Sequence, residues 1–200
     1  AALLETLNEA TQSTSKRRKD LLLGLIDLTP SQAIQLLAPD VRKRPRDVFT
    51  ASLLARAYIQ GRDPEKALEV LEHTKNIEKD PEITYLAARV TLLLKDVEKS
   101  LGLFETLWEL EPGYRDSLVF LVELYGTMGV YEDALLYLNS APERPMHTGE
   151  YQAMLARYSL LSGRFLDAVE HLNRATLVRL PARIRAQVAK LQMHMNSDRR

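Results

Sequence analysis

The chain has 200 residues, 46% of them hydrophobic, and 27 basic residues against 27 acidic ones, for a formal net charge of zero. The hydrophobic content excludes wholesale disorder, and the charge balance excludes a chain-wide basic surface of the kind that nucleic acid or anionic lipid requires. Cysteine is absent, which removes disulfides, cysteine-ligated zinc and thiolate catalysis and is compatible with cytoplasm or periplasm alike.

No run approaches the ~18 apolar residues of a membrane span, so no membrane insertion is expected within this segment. The chain opens with Ala1 and shows no basic-then-apolar leader. It is expected to be a piece of a longer protein, with any signal or anchor outside it.

Glycine and proline punctuate the chain. Pro30, Pro64, Pro81, Pro112, Pro142, Pro145 and Pro181 fall between apolar-periodic stretches or at their starts, where proline is tolerated. Gly61, Gly129 and Gly163 stand between paired stretches, where a residue with positive φ closes a turn. No stretch alternates with period two, so no strands are predicted.

Residues 1–12 read as a helix with Leu3, Leu4 and Leu7 on one face. After Leu28, Thr29 offers an N-cap and Pro30 a first helical position; a loop with Pro39 and the basic Arg42–Arg46 run is expected next. Clear helical pairs follow: 48–60 with 64–74, 82–94 with 97–110, 114–128 with 131–140, and 149–162 with 165–178. Residues 183–195 are expected to form a last amphipathic helix, with Ile184, Val188, Leu191 and Met195 on one stripe, read as a cap in preference to the start of a further repeat.

A period runs through these pairs. Ala33, Ala67, Ser100, Ala134 and Ala168 are separated by 34, 33, 34 and 34 residues. Such spacing is the signature of stacked helical hairpins, each too small to bury its own apolar face. A small residue is required where two helices approach closely. Ala55, Ala88 and Ala156 are expected to face the second-helix row, and a leucine at Ala134 to overpack the hairpin.

The run from Leu121 to Leu138 carries Tyr125, Gly129, Tyr131 and Ala134. Residues Leu155, Ala156, Gly163, Phe165, Ala168 and Leu172 repeat the pattern, as do Leu54, Ala55, Tyr58, Ala67 and Leu71, with the glycine one place early. Residues 81–114 are weaker, with Thr91 for tyrosine, Lys95 for glycine and Ser100 for alanine. These units resemble the tetratricopeptide repeat (TPR) family. RNA-binding repeats of similar length are a competing match, disfavoured by the neutral charge and the tyrosine–glycine pattern. The resemblance implies an all-α, right-handed α/α superhelical solenoid of helical hairpins. It divides the chain into a degenerate region over 1–47, four units over about 48–80, 81–114, 115–148 and 149–182, and the cap over 183–200.

No catalytic, cofactor or metal site is legible. His73, His147, His171 and His194 fall in different units without the HExxH spacing, and there is no phosphate-binding glycine loop or GxSxG turn. Each histidine is read as structural or solvated.

The resemblance implies instead a concave face built from first-helix residues. Carried onto this chain, those positions include Phe49, Ser52, Arg56, Tyr85, Arg89, Leu92, Val119, Glu123, Arg157 and Leu160. Two readings of the Arg56, Arg89, Glu123, Arg157 row stand side by side. Guanidinium groups there would grip carboxylates of a peptide, or they would pair with Glu123 between adjacent units. The Lys and Asn pattern with which chaperone-type TPRs clamp a terminal carboxylate is absent, since Ser52 and Arg56 occupy those positions. The paired leucines Leu92–Leu93 and Leu160–Leu161 would suit an amphipathic helix in the groove or self-association. The Arg42–Arg46 run is a candidate patch whose ordinary reading is a solvated loop.

The function implied is non-catalytic protein or peptide binding. Two alternatives are a structural spacer or oligomerisation segment of a bacterial secretion or exopolysaccharide-export assembly, and a regulatory domain attached to an enzyme.

Overall fold

The structure, a computed structural model, describes residues 15–74, 79–142 and 148–176 together with Ala186, Ala189, Lys190 and Met193. Ten helices and no strand occur among the described residues. The helix expected over 1–12 lies outside the described residues, as do His147, His194 and all of the helix expected over 183–195 except Ala186, Ala189, Lys190 and Met193. The chain divides into two compact units, Ala1–Leu110 and Glu111–Arg200.

The first unit contains α1 (Ser15–Leu28), α2 (Pro30–Lys43), α3 (Val48–Gln60), α4 (Pro64–His73), α5 (Pro81–Leu93) and α6 (Val97–Leu110). Consecutive helices pair, and α3 also packs against α1 and α5. That sandwiching explains a compositional asymmetry. The first helices α3 and α5 are buried nearly all round, through Thr50–Ala55 and Ala57 in one and Ile83–Ala88, Val90 and Thr91 in the other. The second helices α4 and α6 bury a single stripe, Ala67 and Leu71 in one and Ser100, Leu101, Phe104 and Leu107 in the other. A helix with one buried face shows clean 3.6-residue periodicity; a helix covered on all sides does not.

The starts of α3, α4, α5 and α6 are capped by aspartate. Asp47 accepts from the Thr50 amide at 3.2 Å and from its hydroxyl at 2.8 Å. Asp63 accepts from the Lys66 amide, Asp80 from the Glu82 and Ile83 amides, and Asp96 from the Lys99 amide. Each amide bond satisfies a donor that the first helical turn leaves without an intrahelical partner.

The second unit contains α7 (Ser117–Thr127), α8 (Tyr131–Ser140), α9 (Thr148–Leu161) and α10 (Phe165–Thr176). Here α7 pairs with α8, α8 packs on α9, and α9 pairs with α10. The Tyr125 and Tyr137 rings stack at 5.4 Å within the first hairpin, and the Tyr151 hydroxyl donates to the Leu138 carbonyl at 2.6 Å to tie α9 to the end of α8.

The small-residue rows occupy the close helix contacts expected of them. Ala33, Ala55, Ala67, Ala88, Ser100 and Ala134 are fully buried, and Ala156 and Ala168 nearly so. Ser100 meets its facing residue directly, donating its hydroxyl to the Ala88 carbonyl at 2.8 Å. Thr91, which stands where a tyrosine was expected, is also fully buried; its hydroxyl donates to the Ala87 and Ala88 carbonyls.

Four local expectations are corrected. Pro39 lies inside α2 rather than in a loop. An interior proline costs about 3 kcal/mol through its missing N–H and its clash with the preceding turn; here the last turn is held by buried Leu37 and by Ala38 and Val41 packed on the core. Thr29 gives α2 no side-chain cap. Its hydroxyl instead donates back to the Leu25 carbonyl, because a single residue joins α1 to α2.

Gly61 has φ of −75°, and the left-handed position falls on Arg62, at φ 61°. That places Arg62, Lys95, Gly129 and Gly163 at the same point of their units, all with positive φ. All four turns close with the same hydrogen-bond pair, as when Arg62 donates to Ile59 and Asp63 to Tyr58. This is the Schellman arrangement, which needs one left-handed residue. Finally, α7 begins at Ser117, not Tyr114, because Gly113 and Arg115 both take left-handed conformations that no helix accommodates.

Candidate functional site

The first helices of the first unit line a groove of about 230 Å³. α1 contributes Leu23, Ile26 and Asp27, α3 contributes Arg56, Ile59 and Gln60, and α5 contributes Leu86, Arg89 and Leu93. Leu86 is buried whereas Leu93 is 57% exposed, so apolar surface reaches the groove mouth. Arg56 is anchored: its guanidinium donates to Glu82 at 2.5 Å, linking α3 to α5 with both groups largely shielded. Arg89 is exposed, lies 5.7 Å from the Tyr85 ring centre, and donates to the Tyr85 hydroxyl at 3.4 Å.

The other expected groove positions of this unit divide. Phe49 is 38% exposed and Leu92 is half-buried. Ser52 is buried, with its hydroxyl donated to the Phe49 carbonyl at 2.9 Å, and Tyr85 is buried beneath Arg89. Neither lines the groove, and both hydroxyls are engaged in hydrogen bonds.

Leu23, Ile26, Asp27 and Leu86 were missed by the sequence reading. A signal existed for one of them, since Ile26 stands 34 residues before Gln60.

In the second unit, Arg157 on α9 donates to Glu123 on α7 at 2.7 Å, across 34 residues of sequence. The pair sits beside the Tyr158 ring, whose centre is 5.2 Å from the Arg157 guanidinium. Both members are more than two-fifths exposed, so the contribution to stability is about 0.2–1 kcal/mol. Of the two readings of the arginine row, pairing between adjacent units describes Arg157. Val119 and Leu160 are half-buried on the same helices. Tyr158 itself is fully buried, and burial first, then the nearby Glu123 charge, pushes its hydroxyl pKa up to about 12.

Two histidines are described. His73 is exposed with Nδ1 2.7 Å from the Glu69 carbonyl. His171 lies 2.8 Å from Gln152 Oε1, and burial lowers its pKa. Among the described residues no cluster of His, Asp or Glu is placed to hold a metal, and no helix is long and apolar enough to cross a membrane.

These paired helices, with buried small residues recurring along them and a left-handed residue closing four of the turns, define an α-helical repeat protein. The architecture is similar to that of TPR-like helical solenoids. No family model matches the chain. A segment of 82 residues, 40% of this chain, is 28% identical to the TPR repeat-containing protein YpiA of Bacillus subtilis (strain 168), of whose length it spans 19%. A crystal structure of MamA aligns over 80% of this chain and 91% of its own with a TM-score of 0.64 at 17% identity. A second structure, MamA AMB-1, aligns over 84% and 94% with a TM-score of 0.66 at 18% identity. The MamA structures are TPR-like helical solenoids, and at this identity the likeness is one of fold.

Proposed function

We propose that the chain is a non-catalytic protein-interaction module whose first unit receives a peptide segment in the groove among α1, α3 and α5. One observation carries the reading: three successive first helices bring the exposed side chains Arg89 and Leu93 together beside Ile59 and Ile26. An apolar floor with a guanidinium at its edge suits an amphipathic segment bearing leucine and carboxylate on one face. Arg56 contributes by holding the wall through Glu82, and TPR-type folds are in general protein-binding scaffolds.

The test uses a helical peptide with a leucine stripe flanked by glutamate, titrated calorimetrically into the protein. The double variant Arg89→Glu, Leu93→Asp changes exposed groups, so the melting temperature should stay within a few degrees. The affinity should fall about tenfold or more. Unchanged affinity in a folded variant removes the groove from consideration.

A further inference from the structure

A second cleft of the first unit shares no residue with the groove. It has a volume of about 440 Å³ and opens between the second helices α2 and α4, within the ~300–1,000 Å³ range of ligand pockets. Its floor is apolar: Leu54 is buried, and Val41, Tyr58 and Val70 are half-buried around it. Its rim carries the cations Arg42 and Lys66 against a single carboxylate, Glu69, with His73 alongside.

The rim continues into the basic run. Arg42, Lys43, Arg44 and Arg46 are all exposed, in a chain whose total charge is zero. Arg44 is associated with Asp40 at 3.6 Å and Lys66 with Asp63 at 2.5 Å. Arg42, Lys43 and Arg46 have no ion-pair partner among the described residues. Arg42 and Lys43 lie in the last turn of α2, where cations complement the helix carbonyls. That effect explains their tolerance but not the apolar cleft beside them.

We propose that this cleft docks an acidic peptide segment that inserts one large apolar side chain over Leu54 and Val70. The flanking carboxylates would be held by Arg42, Lys43 and Arg46. Charge complementarity selects this occupant. Arg42 at the rim of an apolar cleft, with Lys43 and Arg46 in the same exposed run and none of the three ion-paired among the described residues, matches a short mixed segment, whereas a nucleic-acid backbone or lipid surface needs a broad cationic face without Glu69 at its edge. The site is independent of the groove under α1, α3 and α5, and either can stand without the other.

The probe is a fluorescently labelled short peptide with a central Leu-Phe pair flanked on both sides by Asp and Glu, followed by anisotropy. Saturable binding is expected. It should weaken about tenfold or more in the double variant Arg42→Glu, Arg46→Glu, and partly in the milder Arg42→Gln, Arg46→Gln. Replacing Leu-Phe by Ala-Ala in the peptide should weaken it comparably, and the groove variant Arg89→Glu, Leu93→Asp should leave it unchanged. Circular dichroism on each variant checks that the helices persist. Absence of saturable binding, indifference to the arginine changes, or equal binding of the Ala-Ala peptide would overturn the proposal. So would preferential binding of anionic phospholipid vesicles that is lost with the same two arginines.

Discussion

The ring of Tyr158 on α9 lies against the α-carbon of Gly126 on α7, one repeat earlier. A Cβ added at Gly126 would fall 2.7 Å from Tyr158 Cε1 and 2.9 Å from Cζ. The aromatic ring of the next repeat occupies the space that a side chain at position 126 would need. Gly126→Ala should therefore destabilise the protein by about 1–3 kcal/mol, despite the better helix propensity of alanine. Gly102 in α6 is the control, because nothing lies within 4 Å of an added Cβ there. Gly102→Ala should stabilise by about 0.5–1 kcal/mol. Urea unfolding of both variants checks the opposite signs.

Arg62 and Lys95 hold left-handed conformations at φ 61° and 64°, where Gly129 and Gly163 stand in the other two hairpins. A non-glycine residue there carries a penalty of about 1–2 kcal/mol, part of which glycine returns as unfolded-state entropy. Arg62→Gly and Lys95→Gly should each raise the unfolding free energy, by up to about 1 kcal/mol. No gain in either variant by chemical denaturation would show that the long side chains stabilise these turns in some other way.

Val130, the N-cap residue of α8, makes no side-chain cap, whereas Asp63 and Asp96 cap the corresponding helices of the first unit. Val130 is partly exposed, at 37%, so little packing is lost on replacement. Val130→Asp should supply the missing acceptor and, with the helix dipole, stabilise by about 1 kcal/mol. The gain should disappear as pH falls below the carboxylate range, which thermal melts at neutral and acid pH would reveal.

The Tyr158 hydroxyl, pushed up to about 12 from 10.0 by burial and then by the Glu123 charge, gives a prediction at alkaline pH. In the unfolded chain this tyrosine ionises near 10, while in the folded protein it stays neutral to about 12. Its contribution to stability is complete below 10 and is lost as pH rises through that interval. Tyr158→Phe, which removes the ionisation, should flatten this part of the stability profile. An unaltered alkaline slope in denaturant titrations would contradict the assignment.

Repeat length, hairpin positions and small-residue rows were legible in the sequence because each follows from local rules. One-sided helices such as α4 and α6 show their period openly, and a residue required to be small at every close contact recurs wherever that contact recurs. Ala67, Ser100, Ala134 and Ala168 were readable for that reason. The candidate groove was only partly legible. A register assigns a residue to a face but not to solvent on that face, so Ser52 and Tyr85 were expected to be available and are buried.

What the sequence by itself determined is the all-α repeat and the positions of its turns, since caps, breakers and apolar spacing act within a few residues. What only the tertiary structure decided is how side chains from different repeats divide the shared surface. Arg56 is committed to Glu82 and Arg157 to Glu123, over separations of 26 and 34 residues. Gly126 lies beneath Tyr158, and Arg62 takes the left-handed turn that Gly61 was expected to take. Contacts between repeats depend on geometry summed over whole helices, and local composition carries no record of it.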